Sequence, residues 1–165
     1  MLRRATRADI PFIRSLTTRP DYMPFIGDAE AAQLQGWIDA PGSEILIWEQ
    51  GPARAFAILH GLDKPGRVIE IFRLALEPAG GGHGRDFMAA LVEHGFRELG
   101  AARLWLDVSA ENPRALRCYL AAGFRQEGTR RRHWFRPALE RAVDLHMLGL
   151  MREDWEALEP GRVEA

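Results

Sequence analysis

Residues 67–100 read RVIEIFRLALEPAGGGHGRDFMAALVEHGFRELG. The first eleven, 67–77, are an apolar, β-branched-rich run of strand type. The last sixteen, 85–100, place Met88, Leu91, Val92, Phe96 and Leu99 on one helical stripe, which Gly100 stops. Between them lies EPAGGGHGRDF (77–87), with three adjacent glycines. Glycine is a poor helix and strand former, so such a run needs a backbone reason. A strand, a glycine loop and a helix in that order bring backbone N–H groups and a helix dipole to one point, which suits an anion. The next strand, ARLWLDVS (102–109), alternates Leu104, Leu106 and Val108. A helix of this length between two strands makes a right-handed crossover, so those strands are expected to be parallel neighbours.

Working outward, LRRAT (2–6) is a short strand. ATRADIPFIRSL (5–16) is a helix with Ile10, Ile13 and Leu16 on one face and Thr6 as N-cap. The segment 17–28, TTRPDYMPFIGD, is loop-like, and 28–39 is a second helix capped by Asp28. Three strands follow, EILIWEQ, ARAFAILHGL and RVIEIFRLALE, joined by GP and DKPG. Turns that short favour antiparallel pairing. NPRALRCYLAAGF (112–124) is a helix with Pro113 at its first position and Gly123 at its C-terminal end. FRQEGTRRRHWF and AVDLHMLGLM are two last antiparallel strands, REDWEAL (152–158) is compatible with one more short helix, and EPGRVEA (159–165) is expected to be a flexible tail. The expected fold is α/β (α+β): a mixed, mostly antiparallel sheet of about seven strands, a central parallel pair, and four helices in one domain over 1–158.

Composition narrows the function. At 165 residues, 47% apolar and 27% charged, the chain can bury a core without staples. A formal net charge of −1 points to neither nucleic acid nor anionic membrane. Lys64 is the only lysine among 22 basic residues. Arginine suits phosphate recognition, though only where it is locally placed. Cys118 is the only cysteine, so no disulfide framework exists. His60, His83, His133 and His146 lack metal-pair spacing, and no metal is expected. The N-terminal stretch has no apolar core of signal-peptide length and no run suits a membrane span, so the cytoplasm is the expected location.

The glycine loop fails two familiar tests. A P-loop ends in Gly-Lys-Ser/Thr, whereas this loop has Gly84-Arg85-Asp86. A dinucleotide fingerprint needs a third glycine where Phe87 stands. A third pattern fits: G-x-G at the helix start (Gly82, Gly84), then Asn112, Ala115, Tyr119, Gly123 and Phe124. Together these resemble the GNAT superfamily of acetyl-CoA-dependent N-acetyltransferases. The ending DLHMLGLMREDW is similar to that of the branch containing ribosomal-protein and other protein N-acetyltransferases.

The resemblance implies that the parallel pair splays to admit the pantetheine arm of acetyl-CoA. It implies backbone contacts to that arm from Leu74, Ala75 and Leu76, a pyrophosphate cradle from Gly82, His83, Gly84 and Arg85, and a contact from Asn112. Arg85 and Arg114, at the two helix starts, are the candidate phosphate cations. The family's glycine motif begins with Gln or Arg where this chain has Ala79, a place Arg85 is a candidate to fill.

Acetyl transfer to an amine needs a neutral amine, a donor to the oxyanion and a proton for the departing thiolate. Tyr119 has a reference pKa of about 10, which suits that last task, and by resemblance it is the general acid. Two carboxylates compete as base. Glu70 lies on the first splayed strand among Val68, Ile69, Ile71 and Phe72, and Asp107 lies on the second. The expected acceptor is a small-molecule amine or a peptide N-terminus, shaped by 17–28 and 134–142, with Tyr22, Met23, Phe25, Trp134 and Phe135 as an apolar wall. No nucleic-acid or membrane partner is expected, and a homodimer is compatible with the sequence. The rival reading is an acyl-CoA-binding regulatory module without turnover, favoured by Ala79 alone.

Overall fold

The computed structural model describes residues 1–158, so the expected tail at 159–165 lies outside the described residues. Seven strands form one sheet: β1 (Leu2–Arg4), β2 (Ser43–Gln50), β3 (Ala53–His60), β4 (Val68–Glu77), β5 (Arg103–Ser109), β6 (Arg125–Arg136) and β7 (Arg141–Met151). Their spatial order is β1-β2-β3-β4-β5-β7-β6. Every neighbouring pair is antiparallel except β4 and β5. The helices are α1 (Ile10–Thr17), α2 (Ala31–Asp39), α3 (His83–Glu93), α4 (Pro113–Ala121) and α5 (Arg152–Leu158). REDWEAL thus forms a fifth helix beyond the four counted from sequence.

The sheet carries a core on each face, because strand side chains alternate. Ala55, Ala57, Leu59, Leu104 and Leu106 face α3 and α4, where Phe87, Met88, Leu91 and Tyr119 pack. Phe56, Ile58, Ile45 and Ile47 face α1 and α2, where Ile13, Leu16 and Leu34 pack. The odd/even split of β3 therefore assigns each helix pair to its own side.

Three local expectations are corrected. Asp28 does not cap α2; Glu30 holds that position, and the Asp28 carboxylate instead accepts from Thr17 Oγ1 at 2.6 Å and Arg14 Nη2 at 3.1 Å. Thr6 caps a single 3₁₀ turn over Arg7–Asp9 before α1, with its N–H donating to Asp9 Oδ2 at 2.8 Å. Helix α3 begins at His83, two residues before Arg85, and its last turn relaxes to a π-type segment over His94–Glu98.

The feature that creates the site is the short ladder between β4 and β5. It pairs only Val68 with Arg103, Ile69 with Leu104 and Glu70 with Trp105. Beyond Glu70, β4 follows β3 while β5 follows β7. The two parallel strands diverge, and the edge of β4 from Ile71 onward has no β5 partner.

Candidate active site

A cleft of about 1160 Å³ opens where β4 and β5 part. Its floor and one wall come from Ile71–Glu77 of β4, the glycine loop and α4. Its other wall comes from Leu106–Ser109 of β5, the α1–α2 loop, and His133 and Trp134 of β6.

The glycine loop explains its own composition. Gly80, Gly81 and Gly82 have φ of +98°, +63° and +82°, three successive left-handed residues. Only glycine holds such a run without steric cost. Gly84 serves closeness instead: a Cβ there would sit 3.4 Å from Cys118 Sγ of α4. The two glycines of G-x-G thus do different things. Gly82 permits the turn into α3, and Gly84 permits α3 to pack on α4.

Helix α4 delivers the second motif. The Asn112 side chain caps it by accepting from Ala115 N–H at 3.2 Å, so this residue fixes the helix start at the cleft's edge. Tyr119, two turns on, is buried on the cleft wall at 8% exposure, 6.5 Å from the Phe124 ring between centroids. Burial raises its pKa well above the ordinary phenol value, and the neighbouring Cys118 and Asp107 add to that. Its hydroxyl makes no hydrogen bond to protein among the described residues, so its proton is available to a molecule in the cleft. Cys118 is half-buried, and its thiol is pushed up by burial, as befits a packed residue with no activating base.

The two carboxylates separate. Asp107 lines the cleft, whereas Glu70 lies below the fork, in the last paired position of β4 and β5. Asp107 is reachable through the open cleft yet walled by protein, and that crowding raises its pKa, against the attraction of Arg130 and His133. Glu70 is also raised, by burial and then by Asp107. Only Asp107 faces the space where β4 and β5 part.

The candidate phosphate cations separate too. Arg114 lines the cleft, and its Nη2 lies 3.8 Å from the point a Gly80 Cβ would occupy. It reaches from α4 across to the loop beside Ala79, the place where the motif lacks its side chain. Arg85 projects into solvent at 82% side-chain exposure and lines a separate shallow depression with Ala89, Val92 and Glu93. Leu74, Ala75, Leu76, Gly82, Gly84 and Asn112 all line the main cleft, while His83, like Arg85, does not.

Sequence reasoning missed the anchoring of the acceptor wall. Tyr22 donates its hydroxyl to the Leu76 carbonyl of β4. Arg19 bridges Asp21 and Glu77, each at 3.0 Å. Arg136, buried under Trp134 with its guanidinium carbon 3.8 Å from that ring's centroid, donates to the carbonyls of Met23 and Ile26. Of the expected apolar wall, Tyr22, Phe25 and Trp134 line the cleft; Met23 and Phe135 do not, and are 40% and 61% exposed. Arg73 of β4 is a further lining residue that the sequence reading passed over; a cation inside an apolar strand is the signal that could have found it.

No group of three or more His, Cys, Asp or Glu placed to hold a metal occurs among the described residues, and none of their helices is long and apolar enough to cross a membrane. The fold is shared with solved structures. A spermidine N-acetyltransferase from Vibrio cholerae, crystallised with CoA and spermine, superposes with a TM-score of 0.82 at 20% identity, covering 94% of this chain and 97% of that one. A chimera of the Vibrio cholerae enzyme SpeG and hSSAT gives 0.80 at 21%, covering 94% and 97%. The family model described as the acetyltransferase (GNAT) family matches residues 10–124, from α1 through the end of the second motif. With the splayed pair, the glycine cradle and the capped α4 in place, the chain belongs to the GNAT acetyltransferase family, enzymes that use acetyl-CoA as co-substrate.

Proposed function

We propose that this enzyme transfers the acetyl group to the primary amine of a small molecule or peptide N-terminus in a ternary complex, with Asp107 as base and Tyr119 as general acid. The observation that carries the assignment is that both side chains line the cleft where β4 and β5 diverge, while Glu70 sits below the fork. Acetyl-CoA supplies an activated thioester; the chain's own residues supply position and proton transfer. The left-handed glycines, the α3 N-terminus and Arg114 form a cationic, N–H-rich cradle suited to its phosphates. The unpaired edge of β4 offers backbone groups to an extended arm, although the Leu76 carbonyl already has Tyr22 as partner.

Amines arrive protonated at neutral pH, with reference pKa values of about 7.7–10.4. Asp107, directly or through one water, first takes that proton, and the freed nitrogen lone pair bonds to the carbonyl carbon. The C–S bond then breaks as Tyr119 passes its phenolic proton to the departing sulfur, and the second proton shed by the amide nitrogen returns to Tyr119. Burial, with Cys118 and Asp107 nearby, raises the Tyr119 pKa, so the phenol keeps its proton until the sulfur departs. Glu70 takes no part in the transfer; it lies below the fork, where burial and then Asp107 raise its pKa.

The test is thiol release from acetyl-CoA across a panel of peptides, amino acids, polyamines and aminoglycosides. Release that depends on an amine and on Tyr119 is the expected result. Tight acetyl-CoA binding with no release for any amine would instead favour a cofactor-binding regulatory module.

A further inference from the structure

The charged groups on the cleft divide unevenly. On the acceptor wall, Asp21 and Glu77 share the single cation of Arg19. Arg114 belongs to the glycine loop side. Asp107 is the base. What remains is Arg73, which lines the cleft from β4, and its charge is unanswered.

Arg73 makes no ion pair within 4.0 Å among the described residues. Its one protein hydrogen bond runs from Nη1 to the Asp28 carbonyl at 3.1 Å. The nearby Asp28 carboxylate is engaged by Thr17 and Arg14. The guanidinium is held by ring faces instead, 4.5 Å from the Phe72 centroid and 5.7 Å from that of Trp37. The backbone makes room for it: a Cβ on Gly27 would fall 2.9 Å from Arg73 Nη2. Burial lowers its pKa, Asp28 opposes that, and Arg136 adds to it. A guanidinium has five N–H donors in a planar fork matched to a carboxylate. Here most of that fork is unused, rigidly stacked and turned to a cleft.

We propose that the acceptor amine also carries a carboxylate, and that Arg73 receives this carboxylate at the acceptor end of the cleft. The inference rests on the acetyl-transfer reading above and names its substrate class: amino acids and related small amino-carboxylates. A polyamine would place a further ammonium beside the Arg73 cation, which repels it.

The experiment measures kcat/KM with acetyl-CoA for α-, β- and γ-amino acids, for aspartate and glutamate, for their carboxamide counterparts, and for spermidine. A charge-assisted bidentate contact predicts roughly a 10–100-fold preference for the carboxylate over its carboxamide. In Arg73→Gln this ratio falls to near one, chiefly through KM for the acceptor. Arg73→Lys, which keeps the charge without the fork, retains part of the ratio and serves as the second variant if the first unfolds. Equal rates on acid and amide, or spermidine consumed faster than every amino-carboxylate, would overturn the proposal while leaving acetyl transfer intact. So would calorimetric acetyl-CoA binding with no amino-carboxylate turned over. Absence of acetyl-CoA binding would take down both readings.

Discussion

The two walls of the cleft are built by different physics. The cofactor wall is made of short-range devices: three left-handed glycines, a helix start, and an asparagine cap three residues from the N–H it bonds. The acceptor wall is made of long-range ones. Tyr22 bonds Leu76, 54 residues away, and Arg136 bonds Met23, 113 residues away. The proposed cofactor wall needs only local backbone geometry. The proposed acceptor wall is assembled from loops and edge strands whose neighbours are distant in sequence.

The largest expected effect tests whether the catalytic acid belongs to the cofactor wall. Tyr119→Phe lowers kcat by roughly 10²–10⁴-fold while acetyl-CoA affinity by calorimetry is unchanged. A loss of affinity with unaltered kcat would move Tyr119 from catalysis to packing.

The second test divides the two carboxylates. The pKa of Asp107 is raised, so it remains protonated, and idle as a base, further up the acid side than an ordinary aspartate. Activity rises as pH climbs through that raised value, and Asp107→Asn removes this limb with a loss of about 10²-fold. Glu70→Gln leaves the limb in place, because Glu70 lies below the fork and outside the cleft. A pH–rate profile abolished by Glu70→Gln alone would reverse the assignment.

Arginine placement comes third. Arg114→Ala raises the KM for acetyl-CoA by about 10-fold or more, the worth of one charge-assisted phosphate contact, whereas Arg85→Ala changes it less than about twofold. The opposite order would put the cation on α3.

The smallest effect concerns the start of α1, the helix that leads into the acceptor-wall loop. Asp9 is 4% exposed and held down to about 2 from 3.8, by the Arg3 hydrogen bond first and then by the Thr6 N–H and Arg54. Its folded pKa is depressed, so its stabilisation is complete above the unfolded value of 3.8 and is lost as pH falls toward about 2. Asp9→Asn costs about 2 kcal/mol at pH 7, or roughly 4–8 °C in Tm, and the deficit closes in acid. Hydrogen exchange near pH 3 is expected to open α1 before α3, since α1 alone of the two loses the Asp9 contacts at its start as that carboxylate is protonated. Equal acid sensitivity in both helices would erase the contrast between the walls.

Much of the fold was legible because its signals are local. The alternation in β3 and β5, the stripe on α3 and the Pro113–Gly123 brackets of α4 each depend on residues a few positions apart. The misses fall where a competing partner lies elsewhere in the chain. Asp28 has the chemistry of an N-cap, but Thr17 and Arg14 reach it across the helix packing and take it from α2. Arg85 and Arg114 occupy equivalent places at two helix starts, and only the packing of α3 on α4, allowed by Gly84, shows which one reaches the loop. Glu70 and Asp107 are alike as carboxylates on the two parallel strands. The fork lies just past Glu70, and nothing in either strand's composition says where the ladder stops.

The sequence by itself determined the order of elements, the glycine cradle and the Asn112-to-Phe124 helix with Tyr119 on its buried face, because backbone sterics and a 3.6-residue period act within a dozen residues. Only the tertiary structure decided which carboxylate, which arginine and which aromatics share the cleft, because a salt bridge or a stacked ring is chosen by distance in space.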